Sequence, residues 1–230
     1  MQIFYQPDIQ NTKTLSEEEA RHCIKVLRKK VGDQINVIDG EGTFYVCQIT
    51  EVTKRECKFE IFSQEQEKGF PFHLHIAIAP TKNMDRLEWF VEKCTEIGIS
   101  EITFLLCDRS ERKHIKLERL HKIAIGASKQ SIKARIPKLN DLTKYSDFIN
   151  KDIDGTKQIA HLVDDKRACI SKDVESNKYT ILIGPEGDFS PKEVEQALDK
   201  KYNAISLGPN RLRTETAGIS ACQQVNILYF

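Results

Sequence analysis

Residues 179–190 read YTILIGPEGDFS. The chain continues through PKEVEQAL (191–198) to AISLGPNRLRTETA at 204–217. Residues 179–183 are an apolar run of β-formers stopped by Gly184-Pro185, the pattern of a buried strand ending in a tight loop. Gly184 and Gly187 lack a Cβ, so this loop can lay its backbone against a ligand or another chain segment. Ser190 is placed as a helix N-cap, with Pro191 at the first helical position and Glu193 completing a capping box. Val194, Ala197 and Leu198 give that helix an apolar face. A second strand, 204–207, runs into a second glycine loop at Gly208, and 215–228 reads as a closing helix.

Two strand-end glycine loops so close in sequence imply a site at the carboxyl edge of a parallel sheet, where open α/β sheets bind ligands. A single such loop is as readily an ordinary turn. The pair points to an α/β ligand-binding domain. Beside it lie Arg211, Arg213 and Glu215, charges able to hold an anionic substrate. There is no GxSxG, Walker lysine, HExxH or GxGxxG, and the six histidines are scattered. Such a site suits group transfer by positioning better than covalent catalysis.

Upstream, residues 1–68 are expected to form a small β-rich domain. Residues 3–5 read as a strand. Ser16 with Glu19 predicts a capping box for a helix through Leu27 or Arg28, with Ala20, Cys23, Ile24 and Leu27 inward. Strands follow at 34–38, 43–50 and 57–62, with 39–42 (DGEG) as a hairpin turn. Short strands with close turns suggest a small barrel. Arg21, Lys25 and Arg28 at i, i+4 and i+7 would share one helix face. Residues 63–69 (SQEQEKG) are the linker candidate, leaving 69–230 as the second domain.

In that second part, 73–79 reads as a strand and 84–97 as a helix with Leu87, Phe90, Val91, Cys94 and Ile97 buried. Another strand is expected at 102–107, and the β-α-β order signals parallel pairing. From Arg109 to Lys138 there are ten Lys/Arg against two Asp/Glu. In a chain of net charge +1 that is a phosphate footprint or a solvated helix face. Much of it is a predicted helix, 117–132. Residues 141–154 read as a surface connection with a short helix, and 158–163 as a strand ending at Asp164-Asp165.

No stretch approaches a membrane span, and the first residues lack the pattern of a secretory signal. Seven cysteines without a CxxC pair argue against a zinc cluster or disulfide framework. A reducing cytoplasm is the expected location.

Five ordered segments resemble one family. RHCIKVLRKKVGD (21–33), TKNMDRLEWFVEKCTEIGI (81–99), RLHKIAIGASKQSIKARIP (119–137), ILIGPEGDFSPKEVE (181–195) and SLGPNRLRTETA (206–217) are similar to motifs of the RsmE-type 16S ribosomal RNA uridine-N3 methyltransferases of the SPOUT class. Asp188 stands where that family usually has glycine, Lys129 where it has glutamate, and Lys133 where it has arginine. Residues 209–212 (PNRL) also depart from its pattern, which bears on the alignment of Arg211.

The resemblance implies an α/β fold with an N-terminal PUA-like barrel, a C-terminal domain with a deep trefoil knot, and a homodimer. It implies S-adenosylmethionine as cofactor and no metal. The cofactor would be held by Leu162, Ile183, Gly184, Pro185, Glu186, Gly187, Leu207, Gly208, Leu212, Arg213, Thr216 and Ala217. The substrate would be 16S rRNA of the 30S subunit, contacted through His22, Lys25, Arg28, Lys82, Arg112, Lys113, Lys116 and Gln130. Glu215 is expected to act as the base or to orient it, Arg213 to stabilise the uridine anion, and Arg86 to hold phosphate or uracil. Glu215 could equally be an N-terminal helix carboxylate with no catalytic part. A different RNA substrate, or an RNA-binding assembly factor without activity, are the alternatives.

Overall fold

The computed structural model describes residues 2–162, 168–173 and 175–230. The chain is α/β and divides into two compact units, 1–69 with 125–136, and 70–124 with 137–230.

The first unit is built on a four-stranded sheet in the order β1-β2-β3-β4, with β1 at Ile3–Tyr5, β2 at Gln34–Ile38, β3 at Thr43–Val52 and β4 at Cys57–Gln66. β1 lies parallel to β2; the other pairs are antiparallel. Phe4, Ile35, Val37, Cys47, Ile49 and Phe59 alternate inward and bury one face. Asp39 shapes the hairpin turn, because its Oδ1 accepts the amides of Glu41, Gly42 and Thr43.

Three expectations are corrected here. Residues 63–66 are not a linker: β4 continues through Gln66, paired with Thr43, since a polar strand with one solvated face carries no apolar signal. The helix predicted through Leu27 or Arg28 is α1, Glu17–Arg21, followed by one π turn over His22–Val26. The wider turn breaks the i, i+4, i+7 spacing, and Arg28 lies beyond it with φ +55°, so Arg21, Lys25 and Arg28 do not form one helical row. The capping box is half made: Ser16 accepts the Glu19 amide, but the Glu19 carboxylate pairs with Lys129 Nζ at 2.5 Å.

Residues 125–136 belong with this unit although they follow 56 residues later in the chain. Glu67 Oε2 accepts the amides of Ala134 and Arg135, and the Ile136 amide donates to Gly40 O. A division at 68/69 in sequence does not capture these tertiary bonds.

The second unit holds a six-stranded sheet, parallel throughout, in the order β10-β8-β9-β5-β6-β7. Its strands are β5 (His73–Ile78), β6 (Glu101–Leu106), β7 (Lys138–Lys144), β8 (Thr156–Ala160), β9 (Lys178–Ile183) and β10 (Asn203–Ile205). The central strands β5 and β9 are buried along nearly their whole length, as a sheet covered on both faces requires. The helices are α2 (Met84–Ile97), α3 (Leu117–Gln130, which crosses into the first unit), α4 (Tyr145–Ile149), α5 (Pro191–Asp199) and α6 (Thr214–Ile227). α4 and α5 cover one face through Tyr145, Phe148, Ile149 and Ala197, packed on Ala77, Leu105 and Leu182.

Within the expected surface connection 141–154 the short helix is α4, but residues 141–144 are instead the end of β7, an edge strand whose half-polar sequence pairs with β6. The expected strand at 158–163 is β8 at Thr156–Ala160, and Val163 with Asp164-Asp165 lie outside the described residues. α5 has the predicted capping box in full, worth about 1 kcal/mol. Its Ala197 is buried and Val194 packs beside it, whereas Leu198 is exposed rather than inward. No helix among the described residues is long and apolar enough to cross a membrane.

Candidate active site

β8, β9 and β10 end side by side, the last ladder pairs being Ala160 with Ile183 and with Ile205. The chain leaving each strand builds one wall of a cleft of about 690 Å³, formed by 160–162, by 183–186 with 188, and by 205–214 with Ala217. That volume suits one small organic ligand. The lining is largely loop backbone, so it offers amides and carbonyls at fixed positions.

Two glycines shape it. A Cβ at Gly184 would sit 3.1 Å from the Phe189 amide nitrogen, a tight contact that Phe189 would have to relieve by shifting slightly. Gly208 has φ +134°, which other residues rarely adopt, and open space around it. Gly187 differs: a Cβ there would make ordinary contact with Arg109 at 3.6 Å, and the residue is not on the cleft wall.

The loops are braced from behind. Thr214 Oγ1 donates to Gly184 O at 3.1 Å and Gln224 Nε2 to Leu207 O at 3.2 Å. Arg109 Nη1 donates to Gly187 O and Phe189 O at 2.8 and 3.3 Å. Buried Glu193 accepts the amides of Asp108 and Ser190. Asp188 Oδ2 accepts the Leu162 amide at 2.8 Å.

Of the expected cofactor residues, Leu162, Ile183, Gly184, Pro185, Glu186, Leu207, Gly208, Leu212, Arg213 and Ala217 come together on this cleft, while Gly187 and Thr216 lie off it. The cleft also takes in His161, Asp188, Ser206, Asn210 and Arg211. Asp188, Ser206, Asn210 and Arg211 fall within the two family-like loop segments, and Arg211 is one of the charges expected beside the site; His161 stands outside those segments, and nothing in its type marks it as lining. The wall carries both signs of charge: Glu186 and Asp188, Arg211 and Arg213.

Arg86, Arg213 and Glu215 divide differently. Exposed Arg213 caps α6 and lines the cleft. The Glu215 side chain, 6 % exposed, is directed to Arg86 instead, with Oε1 3.7 Å from Nε. Its Oε2 is buried without a hydrogen-bond partner among the described residues.

The expected RNA residues fall in both units. In the second, Lys113 and Lys116 are exposed. The Lys82 ammonium pairs with Glu111 at 2.8 Å, and its amide donates to Glu186 Oε1. Arg112 is committed to carbonyls, donating to Thr81 O at 2.8 Å and to Lys82 O. In the first unit Lys25, Arg28 and Gln130 are exposed, and His22 lies against the Gln2 amide.

No cysteine is among the described residues of the cleft wall. Burial raises the thiols of Cys94 and Cys107, and that of Cys47 to about 12, so none of the three is a nucleophile at neutral pH. Among the described residues no group of three His, Cys, Asp or Glu is placed to hold a metal ion.

A parallel sheet with a backbone-lined cleft at its carboxyl edge, two arginines on the wall and no cysteine among its described lining residues defines an α/β protein built to hold a cofactor for group transfer. The family model described as RNA methyltransferase domain matches residues 68–226, and the RNA methyltransferase PUA domain matches 15–62. Ribosomal RNA small subunit methyltransferase E of Rickettsia conorii is 30% identical over 93% of this chain and 89% of its own. The chain therefore belongs to the RNA methyltransferase family, among the ribosomal RNA small subunit methyltransferases E. A crystal structure of a probable rRNA-methyltransferase from Porphyromonas gingivalis superposes with a TM-score of 0.94 at 40% identity, covering 100% of this chain and 98% of that one. A ribosomal RNA small subunit methyltransferase E from Neisseria gonorrhoeae, bound to S-adenosyl methionine, gives 0.88 at 25% identity with the same coverage.

Proposed function

We propose that this chain transfers the methyl group of S-adenosylmethionine to N3 of a uridine in 16S rRNA of the small ribosomal subunit. The observation that carries the reading is the cleft. Its three loops present backbone to a ligand, and its walls supply carboxylates and guanidinium groups, which fits a cofactor that is itself a cation at sulfur and a zwitterion at its amino-acid end. Bound there, the cofactor supplies an electrophilic methyl group on a sulfonium.

The protein's own residues must do the rest. Uridine N3 is a nucleophile only after losing its proton, so the site needs a proton acceptor and a cation beside the anion that forms. Arg213, exposed on the cleft wall, is assigned to that anion. Glu215, with one carboxylate oxygen buried and unpartnered among the described residues, is assigned to the proton, directly or through whichever group takes it. Arg86, held by Glu215 and partly exposed, is assigned to uracil or phosphate. N3–C bond formation is then matched by C–S cleavage, and the N3 proton leaves through the acceptor.

In this reading residues 1–68 are a PUA-like RNA-binding barrel, supported by the family match over 15–62. Residues 69–230 are the methyltransferase domain, closed by a C-terminal trefoil knot, and the enzyme works as a cytoplasmic homodimer. Exposed Lys25 and Arg28 in the first unit and Lys113 and Lys116 in the second supply phosphate contacts, and His22, Lys82, Arg112 and Gln130 are assigned to the RNA with them. A target base in a helix must leave the stack to reach the cleft.

The test is a methylation assay with radiolabelled S-adenosylmethionine on 30S subunits, 50S subunits and tRNA from cells lacking the protein, with labelled RNA digested to nucleosides. 3-Methyluridine from the 30S sample alone is the expected result. Label in another RNA overturns the substrate, and label on another nucleoside overturns N3.

A further inference from the structure

Asp188 is an unusual residue for its place. Its φ is +62°, a left-handed conformation that suits glycine and that asparagine and aspartate tolerate better than other residues. Glycine would relax the backbone there, so whatever recommends aspartate lies in its side chain. Both carboxylate oxygens are used: Oδ1 accepts the Phe189 amide and Oδ2 the Leu162 amide, each at 2.8 Å. The Asp188 amide donates to Pro185 O at 2.9 Å, closing its own loop.

The Leu162 bond is the informative one. The β8–β9 ladder ends at Ala160 opposite Ile183. Beyond that pair the chains part to form two walls of the cleft, and Leu162 stands two residues past the ladder on one of them. Its amide is satisfied by a carboxylate 26 residues away, on the opposite wall. A charge-assisted bond of this kind is stronger than an ordinary amide pair, and it spans the two loops where the sheet no longer does.

We propose that Asp188 is a positioning residue for the cofactor, clasping residues 160–162 to the 184–189 loop so that the cleft has its binding width before the ligand enters. The proposal rests on the cofactor reading of this cleft. Preorganisation of this sort appears in affinity, because a loosened wall must be ordered again at each binding event.

The variant D188G separates clasp from fold, since it removes the carboxylate while giving the backbone its preferred residue. Calorimetry with S-adenosylhomocysteine as probe should show binding about tenfold weaker than wild type, while the melting temperature stays within about 2 °C. Hydrogen exchange at the Leu162 amide should quicken in the cofactor-free protein. D188N keeps one carboxamide oxygen as acceptor and should bind more tightly than D188G. Wild-type affinity in D188G would overturn the proposal, as would a loss of affinity matched by a large fall in melting temperature, or equal weakness in D188N. If the wild-type chain itself fails to bind the probe, the cofactor reading falls and this proposal with it; intact wild-type binding with an unaffected D188G sinks the clasp alone.

Discussion

Arg86 Nε stands 3.7 Å from Oε1 of Glu215, across the start of two helices, and the other Glu215 oxygen is buried with no donor among the described residues. A carboxylate held this way has a hydrogen-bonding position to spare, and leaving it empty is costly unless a ligand fills it. Glu215→Gln keeps the shape and a carbonyl oxygen to face Arg86 on α2 but cannot take a proton. It should cut methyl transfer by about 100-fold or more while S-adenosylhomocysteine binding and thermal stability change little. Turnover near wild type would leave Glu215 a helix-terminus carboxylate and nothing more.

Arg213→Ala removes the guanidinium from the cleft wall. Loss of one preorganised charge at a developing anion typically costs about 100- to 1,000-fold in turnover. Single-turnover rates should fall accordingly, and more at low pH than at high pH, where uridine itself is more often deprotonated. A loss that is uniform with pH would argue that Arg213 binds cofactor without touching the anion.

The two glycines of the first loop should part company. Gly184→Ala brings a methyl to 3.1 Å from the Phe189 amide nitrogen, which the loop must relieve by shifting; it should destabilise the loop by about 1 kcal/mol and weaken probe binding. Gly187→Ala meets only ordinary contacts beside Arg109 and should be mild on both counts. Denaturation midpoints and calorimetry on the pair decide it; equal damage at the two positions would mean that Gly187 touches the ligand after all.

His75 should make the second unit sensitive to acid. Burial lowers its imidazole to about 4, with Glu101 opposing the shift, and its Nε2 lies 2.8 Å from Thr103 Oγ1. Its folded value is below the ordinary 6.5, so between these values the unfolded chain binds more protons. Stability from this group is then full above pH 6.5 and is lost as pH falls towards 4, up to about 3 kcal/mol. Urea titrations across that window should show a shallower pH dependence in His75→Gln than in wild type. Parallel curves would place the acid sensitivity elsewhere.

RNA binding should be strongly salt-dependent, since Lys25, Arg28, Lys113 and Lys116 are exposed cations. Each phosphate contact contributes about −0.7 to −0.9 to the slope of log K against log salt. The double variant Lys113→Ala/Lys116→Ala should lower that slope by about 1.5 without altering cofactor affinity. An unchanged slope would remove both lysines from the RNA surface.

The sequence by itself settled what local chemistry settles. The strand at 178–183, the capping box of α5 and the closing helix α6 were legible because apolar period, proline and capping residues act within a few positions of one another. The five family-like segments likewise carried the cleft's main residues, from Gly184 to Arg213. Polar strands were not legible: the end of β4 and all of β7 are held by ladder bonds to a neighbour, and half-solvated edges leave no apolar pattern. Nor was the π turn at His22–Val26, which undoes the row expected for Arg21, Lys25 and Arg28. Only the tertiary structure could bring residues 125–136 to the first unit through Glu67, turn Glu215 to Arg86, or set the Asp188 carboxylate against Leu162. Those bonds join residues tens of positions apart, and no local pattern records which distant amide a carboxylate will meet.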